Sequence, residues 1–204
     1  SGGSSSMTIS TASTTPAGTY TVTVTGTGAS ATRTATYTLT VTVAGGCTNA
    51  GQKLANPGFE SGSTSWTATS GVIGQWGSYG NAPRTGTWNA WMNGYGSSHT
   101  DTVSQTVAVP AGCTTYTLSL WLHVKTSETT TTTAYDTFRV QVVSGGVTTT
   151  LGTYSNLNKS SAYVQRSFNL SAYAGKTVTV TFRGVEDAYL QTTFLVDDTA
   201  LTVS

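Results

Sequence analysis

The chain reads as an all-β protein whose antiparallel strands pack as a sandwich. Three observations predict this. Apolar residues recur at every second position over many short runs. Gly- and Pro-containing turn signals separate the runs. No stretch keeps a helical 3.6-residue period over a useful length.

The 204 residues suffice for one large β domain or one and a half smaller ones. Charged residues make up only 8%, and Thr, Ser, Asn and Gly supply the polarity instead. Thr is β-branched and suits a half-exposed strand. The net charge is +1 with no Lys/Arg cluster, which argues against nucleic acid as a partner. No apolar run approaches the length of a membrane span, so a soluble chain is expected. The opening Ser1–Ser6 stretch carries no signal peptide and reads as a cut from the interior of a longer precursor.

Residues 1–44 form the first segment. Met7 and Ile9 share parity, then Tyr20, Val22 and Val24, then Ala35, Tyr37, Leu39, Val41 and Val43, with Thr between them. Three strands are expected, each with one apolar and one Thr-covered face, joined by turns at Pro16–Gly18 and Gly26–Gly28. Three such strands leave an apolar face and a sheet edge open. The segment resembles the C-terminal half of an immunoglobulin-like domain, of the Thr-rich kind that precedes C-terminal domains in secreted bacterial proteases. Its open face implies packing on the second domain or a homodimer through this segment. Ala44–Lys53 is small and polar and reads as a linker, pinned by Cys47 to the second domain, 45–204.

In the second domain, strands are expected at Thr87–Met92, Thr102–Val109, Tyr116–Val124, Thr137–Val142, Val147–Tyr154, Ala162–Leu170, Thr177–Arg183 and Thr193–Val203. Ser144-Gly145-Gly146 makes a hairpin of two of them. Thr126–Thr133 reads as a solvated loop. The Tyr116–Val124 run is the clearest: Tyr116, Leu118, Leu120, Leu122 and Val124 face one way, and Trp121, His123 and Lys125 the other.

Asn56-Pro57-Gly58-Phe59-Glu60-Ser61-Gly62 reads as a short opening strand with an apolar plug, Phe59, and one acid. Asp197 and Asp198 sit in an otherwise apolar closing strand. Buried carboxylates must be paired or bound to a cation. Side-by-side first and last strands would let these acids share one ion. The alternative is backbone hydrogen bonding or pairing with Arg84, Arg166 or Arg183. Phe194 and Val196 share parity with Asp198, and Leu195 and Leu201 with Asp197; a bulge would reconcile the two. The two cysteines, Cys47 and Cys113, belong to no CxxC pair. A disulfide between them would be worth on the order of 4 kcal/mol and would fit an oxidising, extracellular setting. Two unrelated buried thiols are the other reading.

The motifs NPGFESG at 56–62, VSQTVAVPAGCTTYTLSLWLHV at 103–124 and TFLVDDTALTV at 193–203 together resemble jelly-roll modules of the carbohydrate-binding type. The arrangement is also similar to MAM domains, which pair an FE near the start with a DD near the end. The likeness extends to C-terminal modules of secreted bacterial peptidases and other hydrolases. It covers Cys47–Ser204 and implies a structural calcium near the paired termini. Carried over by motif, its ligands are Glu60 with Asp197 or Asp198, and backbone carbonyls at Asn56 or Gly58. Asp136 is a further candidate, since it shares parity with core-facing Phe138.

Glycan-binding jelly rolls use aromatic rings as stacking platforms. Trp121 and His123 lie on the non-core face of one strand, and Arg139 and Gln141 on that of another. Were those strands neighbours, they would floor a groove. Trp76 and Tyr79 form a second candidate loop, with Trp88, Trp91 and Tyr95 close in sequence. The competing reading of each Trp is a structural plug, and Trp66 is assigned to the core. No GxSxG, HExxH or phosphate-binding Gly loop is present, and His99, although close in sequence to Asp101, reads as a loop histidine. The expected function is a non-catalytic accessory module of a secreted hydrolase, a protease foremost. It would follow an upstream catalytic domain and hold it on a polysaccharide or insoluble protein, or stabilise it. A spacer or adhesion domain without a small-ligand site is the alternative.

Overall fold

The computed structural model describes residues 6–12, 15–16, 18–41, 46–47 and 49–204. The chain divides into two compact units, Ser1–Gly46 and Cys47–Ser204. In the first, β1 (Gly18–Thr27) and β2 (Thr32–Val41) form an antiparallel hairpin in continuous register. Its turn closes with Gly28 N–H donating to Ala31 O at 2.9 Å. Residues 7–12 form no strand, although Met7 and Ile9 alternate. Two apolar residues offer too little surface to hold a third strand. Tyr20, Val24 and Tyr37 of the hairpin are exposed. The expected turn at Ala17, the strand end at Val43 and the linker start at Ala44–Gly45 lie outside the described residues.

The second unit is an antiparallel jelly-roll sandwich. Short strands β3 (Gly51–Gln52), β4 (Thr67–Ala68) and β5 (Ile73–Gly74) come first. The long strands are β6 (Asn89–Asn93), β7 (His99–Ala108), β8 (Tyr116–Thr126), β9 (Thr137–Ser144), β10 (Val147–Ser155), β11 (Val164–Asn169), β12 (Thr177–Glu186) and β13 (Thr192–Val203). One sheet runs β10-β9-β12-β7-β4 and the other β11-β8-β13-β6-β5, with β3 on the far end of β13. Each period-two run forms a strand because it has a neighbour on which to lay its apolar face. Phe138 stacks on Phe182 within one sheet and meets Phe194 of the other, with the Phe138–Phe194 centroids 5.5 Å apart. Leu118, Leu120, Leu122, Val140 and Val180 complete the core.

Phe59 is fully buried against Trp66, with ring centroids 5.2 Å apart, and Trp66 reaches Phe182 at 6.1 Å. The Asn56–Gly62 stretch, however, is a run of tight turns, not a strand. Asn56 and Phe59 both have positive φ, at 46° and 61°, a conformation L-residues take only when the surroundings enforce it. The Asn56 amide enforces it here by donating to the Gly62 and Thr64 carbonyls and accepting from Ser61 N–H. Cys47 and Cys113 form a disulfide that ties the start of this unit to the β7–β8 connection.

Candidate functional site

Two constellations of polar and aromatic side chains flank the six-stranded sheet. The first is a clasp. At β13 a bulge between Asp197 and Ala200 shifts the register, with Asp198 at φ 43°. The bulge buries Asp197 completely and leaves Asp198 partly exposed. Thr199 N–H and its hydroxyl both donate to Pro57 O, at 2.9 and 2.8 Å, which brings the opening turns to the closing strand. Gly58 lies among the acids: a Cβ there would stand 3.5 Å from Asp198 Oδ1 and 4.0 Å from Asp197 Oδ1.

The carboxylates of the clasp are held by donors from the Arg84–Trp88 loop. Asp197 accepts from the Arg84 and Thr85 amides at 2.7 and 3.2 Å. Asp198 pairs with the Arg84 guanidinium at 2.6 Å and accepts from the Thr85 hydroxyl. Glu60 accepts from the Thr87 and Trp88 amides at 3.0 Å. Gly86 makes this approach possible, since a Cβ on it would overlap the Glu60 carboxylate. Burial pushes Asp197 up to about 6, against the lowering pull of its amide donors. Desolvation also raises Glu60, but the Trp88 and Thr87 amides outweigh it and leave this carboxyl below its ordinary value.

Glu60, Asp197, Asp198 and Gly58 therefore converge. Asn56 is beside them, but its carbonyl already accepts from Trp66 Nε1 at 2.9 Å and from Phe59 N–H. Asp136 does not belong to the clasp. It is buried with Asp187 N–H and the Thr192 hydroxyl on its oxygens, and it anchors a different loop. Parity with Phe138 pointed it inward, and it is buried there, with one amide and one hydroxyl donating to its carboxylate. Among the described residues, no group of three or more His, Cys, Asp or Glu side chains is arranged to hold a metal ion.

The second constellation is aromatic. Trp76 lies flat on Gly74, where no Cβ would fit, and donates from Nε1 to Val72 O at 2.9 Å. Tyr79 stands edge-on to it at 5.8 Å and Trp91 of β6 at 5.5 Å. The Tyr79 and Trp91 rings border a cleft of about 400 Å³, lined also by Asn81, Lys125, Ser127, Gln191 and Thr193. A smaller hollow of about 220 Å³ shares Trp91 and adds Trp76 and Tyr95. Trp91 Nε1 is buried without a hydrogen-bond partner. Glu186 of β12 shapes this end by accepting from the Gly94, Tyr95 and Gly96 amides at 2.9–3.0 Å. Asp101 adds a bond from Asn93 N–H at 2.8 Å and meets His99 Nε2 at 3.1 Å. The His99–Asp101 pair thus buttresses the turn.

The groove expected from Trp121, His123, Arg139 and Gln141 does not form. Trp121 and His123 are on β8 and Arg139 and Gln141 on β9, in opposite sheets. Outward parity is legible in a sequence, but it does not say which sheet a strand joins. The Trp121 face is moreover covered by the 76–87 loop. Lys125 donates to Gly80 O and Asn81 Oδ1 at 2.9 and 2.8 Å, and Tyr163 donates to Ala82 O at 3.1 Å. The Arg84 guanidinium caps the Trp121 ring at 3.7 Å. Burial pushes the Tyr163 phenol up and lowers His123, whose Nε2 lies 3.1 Å from Ser160 O. Trp76 and Tyr79 pack together, and Trp91 stands between the two hollows, with Lys125 lining the larger one. Both carried a signal: Trp91 was close in sequence, and Lys125 shares parity with Trp121. Gln191 carried none.

No family model matches the chain, and no curated protein matches it. Solved structures do resemble it. TmCBM61 in complex with β-1,4-galactotriose matches with a TM-score of 0.54 at 19% identity, covering 75% of this chain and 99% of that one. The CBM22-1 xylan-binding domain of Paenibacillus barcinonensis Xyn10C matches with a TM-score of 0.45 at 18% identity, covering 76% and 96%. CBM28, a module specific for non-crystalline cellulose, matches with a TM-score of 0.47 at 8% identity, covering 74% and 95%. These structural neighbours are carbohydrate-binding modules, and at such identities the likeness concerns the β-sandwich fold.

Proposed function

We propose that residues 47–204 are a non-catalytic carbohydrate-binding module whose glycan site is the cleft beside Trp76, Tyr79 and Trp91. The observation that carries this reading is the pair of rings, Tyr79 and Trp91, lining a polar-rimmed cleft of about 400 Å³, with Trp76 packed edge-on against both and opening onto the adjoining hollow. A pyranose ring stacks its C–H face on an indole or phenol, and the rim amides and hydroxyls take its hydroxyl groups. Affinity electrophoresis of the full chain through a panel of soluble plant and bacterial polysaccharides tests this. At least one polymer retards the wild type and releases Trp91→Ala. A wild type that binds none of them favours the spacer or adhesion reading.

The wider setting follows the same proposal. The module accompanies a catalytic domain of a secreted hydrolase, a protease foremost, and holds it on a polysaccharide or insoluble protein surface or stabilises it. The disulfide supports an extracellular location. The β1–β2 hairpin, with Tyr20, Val24 and Tyr37 exposed, is read as part of an immunoglobulin-like domain or a homodimer contact. Calcium is proposed at the clasp. The donor chemistry there is all oxygen, and Asp197 is a buried carboxylate that a cation would balance. Glu60, Asp197 or Asp198 and the Gly58 carbonyl would hold the ion, which would supply structural cross-linking only. A chelator then lowers the melting temperature by several degrees, and an unchanged melt removes calcium from the proposal.

A further inference from the structure

The outward face of the five-stranded sheet carries two arginines side by side. Arg183 of β12 and Arg139 of β9 are direct cross-strand partners. Thr102 of β7 and Thr153 of β10 extend the same row on either side. The next row sets Thr181 against Gln141. Adjacent strands lie about 4.8 Å apart, so the two guanidinium stems start side by side on one face. Like charges placed directly opposite destabilise a sheet. Among the described residues neither guanidinium makes an ion pair or a hydrogen bond.

The missing counter-charge does not come from elsewhere in the fold. All eight carboxylate side chains of the chain are placed by the structure, and none is on this face. Glu60, Asp197 and Asp198 form the clasp. Asp101, Asp136 and Glu186 are buried. Glu128 and Asp187 line a hollow with Tyr135 and Tyr189. No outward position of these strands carries an aromatic ring: the rings of Phe138, Tyr154 and Phe182 all belong to the inward set.

We infer that this face is a second binding surface, separate from the aromatic cleft, for a polyuronate, that is, a linear glycan carrying carboxylates. Each guanidinium fork matches a carboxylate in bidentate geometry. The flanking Thr hydroxyls and the Gln141 amide suit sugar hydroxyls. Without a ring to stack on, a neutral glycan gains little here. Two arginines are too few for a nucleic acid, whose affinity grows with the number of phosphates neutralised. The surface does not depend on the cleft and stands if the cleft reading fails.

The test is affinity electrophoresis of the full chain through polygalacturonate. Wild type and Trp91→Ala are both retarded at low salt, and retardation falls away at about 0.5 M NaCl, where the Debye length is short. Arg139→Gln/Arg183→Gln binds about tenfold more weakly or worse. This variant melts no lower than wild type, because a like-charge contact has been relieved. Polygalacturonate raises the melting temperature of wild type and leaves that of the double variant unchanged. A wild type that ignores polygalacturonate overturns the inference. So does retardation that survives the double substitution, or that Trp91→Ala alone abolishes, which would seat the acid glycan in the cleft. Equal retention by dextran sulfate overturns the uronate assignment.

Discussion

The clasp and the cleft stand on the same sheet, and their polar groups are used in opposite ways. At the clasp every carboxylate is saturated by amides, hydroxyls or Arg84. At the cleft the Tyr79 ring is 69% exposed and its face is open. Carboxylates already held by donors gain little from a ligand other than a cation, whereas an exposed ring offers a stacking face. The acids, which look most like chemistry in the sequence, are tied up in holding the chain together. The proposed glycan site draws on rings and amides instead.

Substitutions at the two places should therefore separate melting from binding. The largest loss is expected for Phe59→Ala, about 3–5 kcal/mol, since the ring is fully buried between Trp66 and the core. Denaturant unfolding reads it, and glycan affinity measured well below the transition stays within about twofold. Opening the Cys47–Cys113 bridge by Cys113→Ser costs somewhat less, roughly 2–4 kcal/mol, as the unfolded chain regains the entropy of a 66-residue separation. A reducing agent lowers the wild-type melt but not that of the variant.

A smaller effect is read against pH. The Asp197 carboxyl, pushed up to about 6, favours its protonated form in the folded protein. With metal chelated, its contribution is complete below about pH 4 and is lost as pH rises through 6, on the order of 2 kcal/mol. Glu60 is held low and pulls the other way. Glu60→Gln isolates the Asp197 part: its melting temperature falls between pH 4 and 7, and a rise instead would contradict the assigned burial effect. Smallest in stability is Tyr79→Ala, within about 0.5 kcal/mol for so exposed a ring. Its glycan affinity drops several-fold, by the 1–2 kcal/mol a stacking contact supplies. If Tyr79→Ala melts like Phe59→Ala while binding normally, the division between clasp and cleft is wrong.

The sandwich, nearly all of its long strands and the Phe59 plug were legible in the residues, because period-two alternation is a local consequence of the pleat. The same alternation misled at Met7 and Ile9, which pair with no strand among the described residues. It also misled at Asn56–Gly62, where hydrogen bonds of the Asn56 side chain turn the chain. The carboxylates of the clasp were foreseen as a group, and the bulge at Asp197 as the way to reconcile their parity.

By itself the sequence determined which side chains face inward on the strands that run without a bulge, since that depends only on neighbours two positions apart. It determined the class of fold, and through two lone cysteines the bridge that the structure contains. Only the tertiary structure decided which strands share a sheet. That choice placed β8 and β9 on opposite sides of the core, folded the 76–87 loop over Trp121, and set Arg139 against Arg183. The physical reason is that strand order and loop packing are settled by contacts between residues far apart in the chain. No local pattern of hydrophobicity encodes these pairings, and the surfaces on which this protein would meet a ligand are made of them.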